Sequence, residues 1–294
     1  MATGKAMQKA EEVIKGAGIP PQPEVILKIR QEMGLPNPNL SKVALLVMQD
    51  VGLTATVLKI ASSPMIGFGK VDTIDRALNL MGVKNFYNLV VSAALRDVLA
   101  IKGLDQKVFE AFWRHSLQTA RACTFVMERV DKSYIDDAYL AGLFHDCAIP
   151  MMLKQFKDYS KVADFAMGPT PAATKAEESL FNTNHTIVGY LMAKSWKLPK
   201  EIADAITWHH SLELKFLKDE KARCYVSTIR LAENLIIEQV MTFYKKGLPE
   251  HQQDTMASLQ YLNGFSLERL MHELDLSNDD IEDIREDIQD IIGE

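Results

Sequence analysis

The sequence predicts an all-α protein of many short-to-medium helices, and three observations carry that expectation. Apolar residues recur with a period near 3.6 along almost every segment, and β-branched alternation is rare. Helix-starting residues stand just ahead of the periodic runs, with Gly, Pro and Thr clusters between them. The composition allows a packed core: of 294 residues, 47% are hydrophobic and 24% charged, while 15 Gly and 11 Pro stay under a tenth of the chain. That length suits one large or two modest domains.

Taken in order, Pro23 to Arg30 form a helix after a Pro pair, since a Pro near a helix start lacks only an N–H that would have no partner there. Asn37-Pro38-Asn39 is a turn, and Ser41 is positioned to cap a helix whose apolar residues include Ala44, Leu45, Leu46 and Val47. Leu53 to Ile60 form the next, stopped by Ser62-Ser63-Pro64 and the Gly67/Gly69 loop. Thr73 opens another helix with Ile74, Ala77, Leu78 and Leu80, and Gly82 is expected to end it. A composition shift at Lys102-Gly103-Leu104-Asp105 separates a His-free N-terminal part from a middle part, all seven His lying after residue 110. Near the C-terminus, Ser277-Asn278-Asp279-Asp280 has the form of a capping box. Ile281, Ile284, Ile288 and Ile291 then mark one apolar face of an acidic helix. Those isoleucines must dock either on the protein's own bundle or on a partner helix.

Charge and composition exclude several function classes. The net charge is −6, and the stretch from Ser266 onward holds eleven Asp/Glu against two Arg. No Lys/Arg block interleaved with aromatics appears, so a nucleic-acid partner is not expected. Cys123, Cys147 and Cys224 are too few and scattered for a disulfide framework or a thiolate zinc site. No uncharged apolar run approaches the roughly 20 residues of a membrane span, and Met1 to Lys5 lead into a charged helical pattern. A soluble, cytoplasmic protein is expected.

The chemistry-bearing residues lie in the middle part. His115 stands alone on a helix, His145-Asp146 is an adjacent pair, His185 is alone, His209-His210 is a second pair, and Glu233 follows in Ile229-Arg230-Leu231-Ala232-Glu233-Asn234. Singly, each reads as a packed or capping residue. As a set, imidazoles and carboxylates from neighbouring helices suit Fe, Mn, Zn, Ni or Co inside a helical bundle.

The order H…HD…H…HH…E, with the HD pair after Leu140-Ala141-Gly142-Leu143-Phe144, resembles the HD phosphohydrolase superfamily. The wider chain is similar to the HDOD subgroup, the HD-related output domain of bacterial signalling proteins. That resemblance rests on the segments 19–27 and 49–63, then on Ile74 to Gly82, Phe112-Trp113-Arg114-His115-Ser116, Ala141 to Asp146 and Trp196-Lys197-Leu198-Pro199, covering roughly 19 to 240. It implies a multi-helix HD-like bundle with an HDOD-specific N-terminal helical subdomain. Residues 1–18 would be an N-terminal extension, 19–104 the subdomain, 105–245 the metal-site bundle, and 246–294 C-terminal helices ending in the acidic one.

Carried over residue by residue, the resemblance implies that His115, His145, Asp146 and Glu233 hold one divalent transition metal. Glu233 stands where the superfamily usually has Asp. His185, His209 and His210 match the extra His of multi-metal members such as the HD-GYP group, and would add a second ion bridged by Asp146. The departures are equally specific. After the HD pair, active HD-GYP-like enzymes have Gly and then a Lys facing the scissile phosphate; here those positions are Ala148 and Ile149. Ala111 stands where a further Glu ligand can occur, and no Gly-Tyr-Pro loop follows His210. Lys154 and Lys215 are the candidate replacements for the missing cation. The resemblance therefore implies a metal-binding signal-transduction module, weakly or not catalytic, with signalling proteins or a second copy as partners. The alternative is a metal-dependent phosphohydrolase acting on a nucleotide or other phosphate ester.

Overall fold

The computed structural model describes residues 4–17, 22–63, 66, 69–245 and 265–292, and its described residues form helices and no strand. Of the stop expected after Ile60, Pro64 and Gly67 lie outside them, while Ser62 does close that helix. The chain divides into two compact units, residues 19–100 and residues 101–293 together with 1–18.

In the first unit, side-chain caps set the helix starts. α2 (Glu24–Met33) follows Pro23. α3 (Leu40–Met48) is capped by Asn39, whose Oδ1 accepts from the Lys42 N–H at 3.0 Å. Ser41 is therefore not the cap: it already lies in the first turn, while Asn39 keeps the extended backbone a cap requires. Asp50 caps α4 (Val51–Ala61), and Thr73 caps α5 (Ile74–Leu99) as its sequence position suggests. Gly82 ends the helix that Thr73 opens, as expected, and a second helix follows at once, the two running together as α5 across a kink. Its φ of 73° is open to glycine at little cost, and the chain resumes the helix directly. Val43, Ala44, Val47, Leu53, Val57, Ile60, Ile74, Ala77 and Leu78 are buried, whereas Leu45 and Leu80 are exposed. Among the described residues no single helix is long and apolar enough to cross a membrane; α3 and α4 reach that hydropathy only together, across a 113° bend.

The second unit contains α1 (Gly4–Ala17), α6 (Gln106–Val130), α7 (Ile135–Phe144), α8 (Ile149–Gln155), α9 (Ala163–Ala166), α10 (Ala172–Phe181), α11 (His185–Ser195), α12 (Lys200–Trp208), α13 (Glu220–Lys245), α14 (Leu267–Leu274) and α15 (Asn278–Ile292). Two glycines fix its close contacts. A Cβ on Gly142 would meet Cys123 Sγ at 2.8 Å and the Ala120 Cα at 2.9 Å, so α7 lies backbone against backbone on α6. A Cβ on Gly189 would meet Ile206 Cγ2 at 2.9 Å, so the α11 backbone lies close against a side chain of α12.

The C-terminal helix settles on its own unit. Ser277 and Asp280 form the reciprocal capping box, with Asp280 Oδ2 accepting from the Ser277 N–H at 2.8 Å and Ser277 Oγ from the Asp280 N–H at 3.2 Å. Ile281, Ile284, Ile288 and Ile291 are all buried, and α15 packs on α6 and α13. Ion pairs of Arg129 with Asp287 (2.7 Å) and of Arg285 with Glu238 (3.1 Å) flank the seam. Replacing both Ile284 and Ile288 by Asp is expected to cost about 3 kcal/mol or more per site, because a charge enters a fully buried position. At about 2–4 °C per kcal/mol for a chain of this size, the melting temperature should drop by more than about 10 °C, with unchanged assembly state by light scattering.

Candidate metal centre

The turn after α7 aims two of the candidate ligands inward. Phe144 is the last residue of α7, and the following turn closes through the Cys147 N–H on Phe144 O (3.1 Å) and the Ile149 N–H on Asp146 O (2.9 Å). Cys147, Ala148 and Ile149 are fully buried, so the turn is packed into the core with His145 and Asp146 on it. His185 is the first residue of α11, placed by Asn184, whose side chain caps that helix. His209 and His210 directly follow the last residue of α12. Only His115 and Glu233 project from helix interiors, those of α6 and α13. His115 keeps 20% of its side chain exposed, while the other six are buried.

The seven side chains converge as two sets sharing Asp146. His115, His145, Asp146 and Glu233 form one, and Asp146, His185, His209 and His210 the other; within each, one ligand atom per residue lies within 4.8 Å of all the rest. Asp146 Oδ2 stands 3.2 Å from His145 Nε2 and 3.4 Å from His115 Nε2. Its Oδ1 stands 3.3 Å from His185 Nε2 and 3.5 Å from His209 Nε2. Glu233 Oε1 lies 3.5 Å from His145 Nε2 and 3.9 Å from His115 Nε2. Ligand atoms about 2.1 Å from a common ion are about 3.0–3.4 Å apart at octahedral or tetrahedral angles, and most of these separations fall at or just above that range.

The residues fit such an ion on two further counts. Both oxygens of Asp146, both of Glu233 and both ring nitrogens of His210 are buried without a hydrogen-bond partner. Buried carboxylates lacking donors cost several kcal/mol each unless a cation compensates them. The tautomers also agree. His145 Nδ1 bonds the Gly142 carbonyl at 2.6 Å, His209 Nδ1 the Ile206 carbonyl at 2.8 Å, and His185 Nδ1 the Glu177 Oε2 at 2.7 Å. Each partner accepts, so each Nδ1 carries a proton, and each ring, once its Nε2 gives up any proton, turns an Nε2 lone pair toward the cluster.

Charge in the cluster is strongly shared. Burial opposes a charge on His145, yet the Asp146 carboxylate, with Glu233 behind it, holds that imidazole well above its ordinary pKa. Burial likewise opposes ionisation of Asp146, but the surrounding histidines, His145 first, hold it well below the carboxylate range. Against burial, Glu177 and then Asp146 raise His185. Burial lowers His209 and, with His209 and His185 as neighbours, His210. Cys123 and Cys147 are buried thiols pushed up by burial, so neither is a ready thiolate ligand.

Three supporting residues escape a reading of the sequence. Glu177 and Tyr159 back His185, and Arg230 holds the His209–His210 segment. The Arg230 guanidinium donates to the carbonyls of His209 (2.8 Å), Trp208 (3.0 Å) and Ser211, satisfying the C-terminal end of α12. It stacks on Phe265 at 3.8 Å, and burial pulls its pKa down to about 9. Its one sequence signal is a position one turn before Glu233; Glu177, in Ala176-Glu177-Glu178-Ser179, has none.

A cleft of about 760 Å³ adjoins the centre at His210, and Lys5, Lys175, Trp208 and Phe216 also line it. Lys154 and Lys215, the expected replacements for the missing phosphate cation, are not among its lining residues. Both are exposed, and Lys215 pairs with Glu213 at 3.3 Å.

The chain is 24% identical over 222 residues to an uncharacterized protein of Treponema pallidum (strain Nichols), covering 74% of this chain and spanning 42% of that relative's length. Solved structures share its fold. An HDOD domain protein of unknown function from Geobacter sulfurreducens matches with a TM-score of 0.64 and 24% identity, over 97% of this chain and 98% of that one. A candidate signal transduction protein from Marinobacter aquaeolei VT8 has a TM-score of 0.69 and 17% identity, over 100% and 66%. A candidate metal-dependent phosphohydrolase from Shewanella amazonensis SB2B has a TM-score of 0.55 and 20% identity, over 99% and 100%. The HDOD domain itself matches residues 19–212, about two thirds of the chain, and the protein belongs to the HDOD domain family.

Proposed function

We propose that this chain is a signal-transduction module whose HD-type bundle carries one or two divalent first-row transition metals, acting through protein contacts with little or no turnover. The observation that supports this best is the ligand count. Each set offers four protein ligands, enough to complete a tetrahedral shell, and all but His115 are buried. A closed, buried shell is the pattern of a structural metal, whereas a catalytic one keeps a position open. The name of the Marinobacter neighbour agrees with a signalling role. A signalling protein or a second copy of the chain is the expected partner. His115, His145, Asp146 and Glu233 would hold one ion and His185, His209 and His210 the other, Asp146 serving both. When bound, the ions supply the positive charge that the buried carboxylates lack. Imidazole and carboxylate donors suit Fe, Mn, Zn, Ni or Co.

One specific observation favours the second reading, a phosphohydrolase acting on a nucleotide or other phosphate ester. The cleft beside His210 brings Lys5 and Lys175 to its lining, with Trp208 and Phe216 as flat surfaces, although Glu178 and Glu213 line it as well. The name of the Shewanella neighbour points the same way. Against it, the residue at the phosphate-facing position is Ile149, fully buried. Loss of a positioned cation at developing charge typically costs about 3–4 kcal/mol, two to three decades of rate.

Protein purified without chelator should carry at least one equivalent of transition metal by elemental analysis. Less than about a tenth of an equivalent, with no uptake on addition, would sink the metal centre. Binding should strengthen with pH. His145 and His185 hold protons above the ordinary imidazole range, and an ion must displace them. Acidification therefore weakens binding by about tenfold per pH unit for each displaced proton, read by competition with a chelator of known pH dependence. Metal-loaded protein should hydrolyse cyclic di-GMP and p-nitrophenyl phosphate no faster than its His145→Ala variant. Robust wild-type turnover that the variant lacks would put the phosphohydrolase reading first.

A further inference from the structure

The two ligand sets differ in charge. The His115 set contains two carboxylates, Asp146 and Glu233, against a divalent ion. The His185 set contains only the shared Asp146 and three imidazoles. A second ion there would sit among neutral rings with half a carboxylate to itself. The structure places one more negative group within a ring's width of it.

Glu177 on α10 is fully buried, eight residues before His185. Its Oε2 accepts from His185 Nδ1 at 2.7 Å, on the side of the ring opposite Asp146. Its Oε1 accepts from the backbone N–H of His185 at 3.3 Å and from the Tyr159 hydroxyl in a short bond. Tyr159 is itself buried, in a short 3-10 turn at Tyr159–Lys161. Both carboxylate oxygens are thus fixed, and the group has a single orientation. The other imidazoles with a resolved Nδ1 partner, His145 and His209, lean on neutral backbone carbonyls. Among the described residues, His185 is the cluster ring whose Nδ1 meets a carboxylate.

We propose that Glu177, oriented by Tyr159, is the positioning residue that makes the Asp146–His185–His209–His210 set a site for its own divalent cation. This inference rests on the metal-centre reading and deepens it. A carboxylate hydrogen-bonded to Nδ1 fixes the tautomer and ring plane and makes Nε2 the stronger donor. It also supplies, across one imidazole, the second negative charge that the set lacks. Removal of such a partner typically weakens metal binding by about 10–100-fold. Here that loss falls on one ion of two, because among the described residues the ring contacts and ion pairs of the His115 set run to one another and not to Glu177.

The test is a titration of metal-free full-length protein with Zn²⁺ and with Co²⁺ against a competing chelator, for wild type, Glu177→Gln and Tyr159→Phe. The wild type is expected to take two ions. Glu177→Gln should keep one at wild-type affinity and bind the other about 10–100-fold more weakly, with the retained ion reporting that the bundle is folded. The Co²⁺ visible spectrum should lose the contribution of the weaker site alone. Tyr159→Phe keeps the buried ring, removes only the hydroxyl, and should weaken the same ion by less than about tenfold; it also carries the test if Glu177→Gln fails to fold. Two ions at unchanged affinity in both variants, or equal weakening of both ions, would overturn the proposal while leaving the metal centre standing. A wild-type chain that binds no metal would overturn the metal centre, and this proposal with it.

Discussion

Asp146 has both carboxylate oxygens buried, with four imidazole Nε2 atoms at 3.2–3.5 Å, and the placing of that one group constrains the rest of the larger unit. A carboxylate so enclosed needs positive charge on both of its oxygens. Protons on His145 and His185 provide it in part, and metal ions would provide it more fully. The helices around it are arranged to bring imidazoles to this point. α7 ends at residue 144, α12 at residue 208, and α11 begins at residue 185, so four of the six remaining ligand positions sit at helix ends. A helix end can turn its side chain into the core without displacing the apolar stripe of its own helix.

That arrangement depends on close helix packing, which the glycines permit. Gly142 lets α7 rest on the α6 backbone one turn before His145, and its carbonyl then fixes the tautomer of that His. Gly189 makes room on α11 for the Ile206 side chain of α12 one turn after His185. A methyl group at either position would push apart the helices that carry opposite ligands. The Arg230 guanidinium works on the remaining side, tying the end of α12 to α13, the helix that bears Glu233. Both ligand sets therefore share α13: Glu233 enters the first directly, and Arg230 holds the backbone of the second.

Much of this was legible in the sequence, for reasons that differ by element. Helix periodicity, the Thr73 cap and the Ser277–Asp280 box follow from local chemistry. The seven His, Asp and Glu positions were legible through the family resemblance of their order, and the fold brings them together as two groups. Ser41 misled because Asn39, two residues earlier, offers the same kind of acceptor with a better backbone, and sequence cannot rank the two. Gly82 ends its helix as read, but a positive φ does not say that another helix begins at once, so the continuation of α5 was not legible. Whether the isoleucines of α15 met their own bundle or another chain depends on tertiary contacts with α6 and α13, which periodicity does not encode. Glu177 and Tyr159 were invisible for a deeper reason. A Glu in a polar helical stretch reads as solvated, and only the fold reveals that it is buried against a histidine from the next helix.

The same distinction bears on the absent phosphate cation. In the sequence, Ile149 reads as a one-residue departure from the pattern of an active enzyme. In the fold it opens α8, and with Cys147, Ala148, Pro150, Met151 and Met152 it forms an unbroken buried run between the HD pair and the core. Ile149 is itself fully buried, so the turn that carries His145 and Asp146 is followed by apolar packing where an active enzyme has its cation. Lys5 on α1 and Lys175 on α10 line the cleft on the His210 side of the centre, but Glu178 and Glu213 line it too, so the cleft does not replace the missing cation with a net positive charge.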